Sequence, residues 1–260
     1  MKTVLITGAT GGIGRELCKV FAQHKYNLIL VGRNETKILD LKNELQKEYP
    51  IQIDFLLADL SLPNASKMIL EQSIEKQMQI DILCNVAGLG VYGDFLDRDL
   101  EEHKELLEVN LHAVVELCHY FGNKMKKGKN GKIINIASIS AFFPGPYMAT
   151  YYASKAYILS FSIALAKELK PYNVGVSVVC PGVIPTEFYP KAGADLKHSY
   201  LLKRMPLANP KALARKIYNK AMQNKLIIKN GIINRMYIFL SKFLPLRLKA
   251  FIVSWVQRKK

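Results

Sequence analysis

Six apolar runs of five to seven residues punctuate the first 180 positions: Thr3–Thr7, Tyr26–Val31, Ile53–Ala58, Ile80–Cys84, Lys132–Ala137 and Val174–Cys180. Each has the length of a strand, and the near-continuous aliphatic character of T-V-L-I-T is that of a strand buried on both faces. Stretches with helical spacing fall between them. The segment R-E-L-C-K-V-F-A-Q-H-K, from Arg15, puts Leu17, Val20 and Phe21 on one face. Glu35–Tyr49, Leu62–Met78, Asp99–Phe121 and the segment around Tyr151 read as further helices. Strand and helix alternating in this way predict an α/β fold with a parallel sheet covered on both faces. A chain of 260 residues suits one such domain, and no repeat, low-complexity tract or linker divides it.

Chemistry collects where the predicted strands end. Thr3–Thr7 runs into T-G-A-T-G-G-I-G, Thr7 to Gly14, and then into a helix. Glycines there let a pyrophosphate approach the backbone, and the helix N-terminus offers free N–H groups and a positive dipole end. A tight strand-to-helix turn with no ligand is the plainer alternative. After the second strand, where a dinucleotide fold places an acid for the ribose hydroxyls, the chain reads Gly32-Arg33. A guanidinium in that place pairs with a 2′-phosphate, which favours NADP over NAD. Asn110 lies in mid-helix among Leu107, Val109 and Leu111, where an amide needs partners. Tyr151 and Lys155 are four apart on one helix face, the arrangement in which an ammonium lowers a phenol's pKa for proton exchange with an alcohol or carbonyl. The same spacing also occurs on ordinary helices.

The motifs T-G-x-x-x-G-x-G (Thr7–Gly14), N-x-A-G (Asn85–Gly88), Asn110, Ser138, Y-x-x-x-K (Tyr151–Lys155) and P-G (Pro181–Gly182) occur in that order. As an ordered set over about residues 1–190 they resemble the short-chain dehydrogenase/reductase family. Ser138 lies 13 residues before Tyr151, and only Tyr151, not Tyr152, meets both that family spacing and the step to Lys155. The resemblance implies a single Rossmann-like doubly wound parallel sheet and hydride transfer between a nicotinamide cofactor and a carbonyl or secondary alcohol, and Arg33 makes NADP(H) the expected cofactor. It implies that Gly8, Gly12, Ile13 and Gly14, with Thr10 and Gly11, bind the pyrophosphate side of the cofactor. Asp59 and Leu60 face the adenine in this reading, and Asn85, Ala87 and Gly88 support the sheet and the cofactor. Pro181, Gly182, Val183 and Thr186 hold the carboxamide. Tyr151 is the acid/base, Lys155 lowers its pKa and binds the nicotinamide ribose, Ser138 orients the substrate oxygen and Asn110 serves a water relay. The family often has Asn where this chain has Cys84.

Composition adds the substrate side and the tail. Phe142, Tyr147 and Met148 precede Tyr151, and Phe188, Tyr189 and Met205 lie in or beside a substrate loop at about 187–210. So greasy a surround suits a small apolar carbonyl or alcohol of steroid, lipid or acyl type, although half of these residues serve equally as packing. The net charge is +16, carried by Lys191–Lys260, which holds seventeen Lys or Arg and one acid, Asp195. Residues 231–260 form a basic amphipathic extension to a catalytic domain at 1–230. Its apolar residues, interspersed Lys and Arg, and Trp255 suit a helix lying on an anionic membrane, and alternatively one packed across the cleft or against a second copy. The tail lacks a nucleic-acid recognition motif, so nucleic acid is not expected as a partner. Four scattered cysteines give neither a metal site nor a disulfide framework and point, with too short an apolar start for a signal peptide, to a cytoplasmic protein. The resemblance implies a homo-oligomer, dimer or tetramer. A non-catalytic NADPH-binding sensor or membrane-tethered scaffold on the same fold is the alternative function.

Overall fold

A computed structural model of the chain describes residues 1–194 and 207–257. Met205, one of the substrate candidates, lies outside the described residues. Seven parallel strands form one sheet in the order β3-β2-β1-β4-β5-β6-β7. They are β1 (Thr3–Thr7), β2 (Asn27–Gly32), β3 (Ile53–Leu57), β4 (Ile82–Asn85), β5 (Gly131–Ile136), β6 (Val174–Cys180) and β7 (Ile227–Lys229). Register follows the alternation of large aliphatics, with Leu5 opposite Ile29 and Leu83, and Ile133 opposite Val176. Because successive side chains leave opposite faces, Val4 and Ile6 enter one core layer and Leu5 the other.

Helices close both layers. On one face lie α1 (Gly12–Gln23), α2 (Glu35–Glu48) and α8 (Pro210–Met222), through Leu17, Leu41 and Ile217. On the other lie α3 (Ala65–Glu75), α5 (Ala113–Lys127) and α6 (Ala149–Leu169), through Ile69, Phe121 and Ile158. The remaining helices are α4 (Leu100–Leu107), α7 (Phe188–Lys191), α9 (Ile232–Ser241) and α10 (Leu246–Gln257). Local chemistry sets the starts: the Asn34 side chain accepts from Lys37 N at 2.9 Å, and Asn209 caps α8 ahead of Pro210. Pro245 separates α9 from α10, as the sequence suggests.

Three expectations are corrected. The helix at Leu62–Met78 is shorter, because Pro63 precedes it and Asn64 is left-handed at φ 64°. The helix at Asp99–Phe121 is α4 and α5 joined by a π-helical turn at Glu108–His112, and α5 runs on to Lys127. The seventh strand and α8 were not anticipated. β7 has only three residues, too few for a periodicity, and it is held by its pairing with Val178–Cys180.

The strand order reverses between β1 and β4, and that is where a doubly wound sheet binds ligands, beyond the carboxyl ends of its strands.

Candidate active site

The loops after β1 and β4 meet at this reversal. Gly8 is left-handed (φ 63°), and a Cβ there would stand 2.9 Å from the Ala87 backbone. A Cβ on Gly14 would stand 2.1 Å from the Gly8 carbonyl, so both positions demand glycine. The Thr7 hydroxyl accepts from Val86 N (3.0 Å) and Ala87 N (3.2 Å), tying one loop to the other. No acid occupies the first turn of α1, whose N-terminus opens on this space beside Thr10, Gly11 and Ile13. Thr186 closes it from above: a Cβ on Gly12 would stand 2.3 Å from its methyl. This cradle of backbone donors and glycines fits a dinucleotide pyrophosphate.

At the far end of the cradle Arg33 meets Asp59 at 3.4 Å. Hydrogen bonds from Ser61 and the nearby Arg33 hold the Asp59 carboxyl below its ordinary value despite desolvation that works the other way. With Arg33 60 % exposed, this pair is weak and leaves the guanidinium free to turn to an anion. Leu60 beside it is buried in the second core layer.

The catalytic candidates assemble over β4 and β5. Lys155 is buried, and its Nζ donates to Ile136 O at 3.1 Å and lies 5.7 Å from the centre of the Tyr151 ring. Desolvation pulls this ammonium down to about 8. Burial drives the Tyr151 phenol above its ordinary value, and the Ser138 hydroxyl acts in the opposite sense. The sequence expectation that Lys155 lowers the phenol's pKa is thus not what governs it in the protein alone. Desolvation dominates both groups. Ser138 caps the short helical turn Ile139–Phe142, its Oγ accepting from Ser140 N at 3.1 Å.

Asn110 sits in the π-helical turn with all its polar atoms engaged. Its Oδ1 accepts from Leu89 N at 2.9 Å, and its Nδ2 donates to Leu89 O (2.9 Å) and Ser154 Oγ (3.1 Å). A Cβ on Gly88 would stand 3.3 Å from Asn110 Oδ1 and 3.4 Å from Lys155 Nζ, so this glycine keeps the backbone close to the ammonium. Asn85 is buried, and its Nδ2 donates to Asn135 Oδ1 at 2.9 Å, with Asn135 passing the chain on to Ser162. Pro181 O accepts from Ile139 N at 2.9 Å, joining the P-G turn, with buried Val183, to the Ser138 segment.

The greasy residues divide. Tyr147, Met148, Phe188 and Tyr189 gather with Tyr92, Tyr151 and Tyr152 in one apolar cluster, and the Phe188 ring lies 5.2 Å from that of Tyr151. Phe142 is not among them. It packs on the second core layer with Lys229 over its ring at 5.6 Å.

Several contributors escaped the sequence reading. Asn135 and Ser154 are polar residues inside apolar elements, the one signal that could have marked them. Gln257 carried no signal: it reaches the cluster from the end of α10, its Nε2 donating to the Tyr152 hydroxyl and its backbone carbonyl accepting from the Tyr92 hydroxyl. With Ser140 and Gln257 working against desolvation, Tyr152 is still pushed up to about 12.

Comparison with known proteins agrees with this arrangement. A family model described as short chain dehydrogenase matches residues 2–197. The chain is 34 % identical over 191 residues to a probable oxidoreductase, EphD, of Mycobacterium tuberculosis, a match covering 73 % of this chain but 32 % of that protein, so the chain spans about a third of it. It is 30 % identical over 182 residues to a 7beta-hydroxysteroid dehydrogenase of Mediterraneibacter gnavus, covering 70 % of this chain and 68 % of the relative. In structure it is similar to a short-chain dehydrogenase from Sphingobium yanoikuyae in complex with NADPH, with TM-score 0.82 and 27 % identity over 94 % of this chain and 96 % of that one.

Proposed function

The chain belongs to the short-chain dehydrogenase family, and on that premise we propose that it is an NADP(H)-dependent oxidoreductase interconverting a carbonyl and a secondary alcohol on an apolar substrate. The observation that carries this reading is the convergence of Ser138, Tyr151 and buried Lys155 at the carboxyl ends of β4 and β5, beside the glycine cradle. A bound nicotinamide supplies or accepts the hydride.

In the reducing direction negative charge grows on the substrate oxygen. The Ser138 and Tyr151 hydroxyls donate to it, and Tyr151 gives up its proton as the charge develops. Its raised pKa keeps that proton in place at neutral pH until it is needed. Lys155, charged below about pH 8, stabilises the phenolate left behind and holds the ribose hydroxyls of the cofactor. Asn110 fixes the backbone at Leu89 and so the loop that faces the nicotinamide. Gly8, Gly12, Ile13 and Gly14 take the pyrophosphate, Asp59 and Leu60 the adenine, and Val183 and Thr186 the carboxamide. Arg33 pairs with a 2′-phosphate, and the NADPH bound by the Sphingobium relative supports that preference.

An apolar substrate is supported by the cluster of Tyr147, Met148, Phe188 and Tyr189 on Tyr151, and by the hydroxysteroid dehydrogenase among the relatives. The protein acts in this reading as a cytoplasmic homo-oligomer, in peripheral contact with a membrane through its C-terminal helices. Tyr151→Phe tests the assignment. It should lower NADPH-dependent ketone turnover by about 10³-fold with unchanged circular dichroism, and a variant as active as the wild type would remove Tyr151 from the mechanism.

A further inference from the structure

The last two helices are packed inside out. In α9 the buried side chains are Asn234, Ile238 and Ser241, while Met236, Phe239 and Leu240 face outward. In α10 the buried residue is Gln257, while Phe251 is 71 % and Trp255 63 % exposed. A helix facing water turns its apolar stripe toward the protein. Here each inward polar side chain makes at least one hydrogen bond: Asn234 Nδ2 donates to Asn230 O at 2.9 Å, Ser241 Oγ to Ile238 O at 2.9 Å, and Gln257 Nε2 to the Tyr152 hydroxyl. The inversion is therefore built in, and the outward apolar face calls for an apolar partner.

Charge identifies that partner. No Asp or Glu follows Asp195 in the sequence, and Arg235, Lys242, Arg247 and Lys249 interrupt the apolar face. A second copy of this chain would bring the same positive charges to the contact, whereas an anionic bilayer brings the opposite sign. Among the described residues no helix is long and apolar enough to cross a membrane, so the helices lie on the surface.

The end of α10 reaches the aromatic cluster around Tyr151. Gln257, 3 % exposed at the end of α10, sits between the hydroxyls of Tyr92 and Tyr152, and the Tyr152 ring lies 6.1 Å from that of Tyr151. Its Oε1 is buried with no hydrogen-bond partner, so the plug is held imperfectly. In α9, Asn234 lies against Gly182 of the P-G turn.

We propose that α9 and α10 dock their outward face on an anionic lipid bilayer, and that docking draws Gln257 off Tyr152 and opens the Tyr151 cleft to a substrate dissolved in that bilayer. This rests on the reading of the cleft as a site for an apolar carbonyl and of the tail as membrane-facing.

Docking is read without catalysis. Trp255 is the chain's one tryptophan. Its emission should shift to the blue when the full chain meets phosphatidylcholine vesicles containing about one third phosphatidylglycerol, and should revert in high salt. No shift would overturn the docking whatever the enzyme's activity. Coupling is read on a water-soluble ketone with NADPH. Wild-type turnover should rise about fivefold on adding those vesicles, and Gln257→Ala should turn over at the raised rate without them. Phe243 is 71 % exposed, like Phe251, and the double variant Phe243→Glu/Phe251→Glu should keep the vesicle-free wild-type rate and lose both the shift and the rise. Stimulation of Gln257→Ala equal to that of the wild type would overturn the coupling. A blue shift with no turnover of any ketone would overturn the catalytic reading, and the coupling with it, while upholding the docking.

Discussion

At the scale of the residue, the proposed mechanism sets catalysis against stability at Lys155. Its ammonium is buried with one backbone acceptor, and its pKa in the folded chain, about 8, lies below the 10.5 of an exposed lysine. The unfolded chain therefore binds the proton more tightly. The penalty, on the order of 3 kcal/mol, is fully present below pH 8 and is relieved as pH rises toward 10.5. Lys155→Met should accordingly abolish turnover yet raise the unfolding temperature at pH 7 by ~5 °C, with the gap to wild type closing at higher pH in a calorimetric series. In the wild type, reduction should fall off above about pH 8 as the ammonium is lost, visible as one deprotonation in the kcat/KM profile. At Arg33 the prediction concerns discrimination. Arg33→Ala should raise the KM for NADPH by ~10-fold or more and leave that for NADH nearly unchanged, since the guanidinium's Asp59 contact is exposed and weak. The ionic character of Tyr151 and Lys155 was only half legible from their spacing. Four residues on a helix fix the shared face, but the desolvation that governs both pKa values comes from β5 and the aromatic cluster, which no local window contains.

At the scale of the element, what the chain announces most clearly is what the sheet buries on both faces. β1 and β6 were legible at both ends because their valine-, leucine- and isoleucine-rich runs, with only Gly175 and Ser177 inside β6, stop at Gly8 and Pro181. β7 was not, because three residues take their conformation from a neighbour. The π-helical turn is a further case. Nothing in E-V-N-L-H departs from a helical pattern, yet there the ladder is relaxed and Asn110 is aimed at both backbone groups of Leu89. Asn110→Leu would strand those two groups, while the Ser154 hydroxyl keeps its bond to Tyr151 O at 2.7 Å, so it should cost on the order of 2–4 kcal/mol in denaturant unfolding and lower kcat at the same time. A variant that lost activity with no loss of stability would show that the amide acts on the reacting groups and does not serve to hold the loop.

At the scale of the whole molecule, the two core layers and the reversal between β1 and β4 bring the glycine cradle and the loops carrying the motifs to one place at the carboxyl edge of the sheet. The ordered motifs located that place from the sequence, because the loops carrying them all lie at the carboxyl edge of one sheet. The C-terminal helices were legible as basic, apolar and divided at Pro245, but not in their orientation. Whether Asn234, Ser241 and Gln257 face inward or outward depends on the surface they meet, and Gln257 finds Tyr152 from 105 residues away in the chain. The central claim is transfer of hydride from NADPH to a bulky apolar ketone at Tyr151. It is tested most directly by following cofactor oxidation, NADPH against NADH, over ketosteroids, 3-oxoacyl thioesters and small ketones, with wild type and Tyr151→Phe side by side. The account predicts NADPH-preferring turnover of one bulky apolar class that disappears in the variant. Tight NADPH binding with no turnover across the panel would contradict it and leave a cofactor-binding sensor in its place.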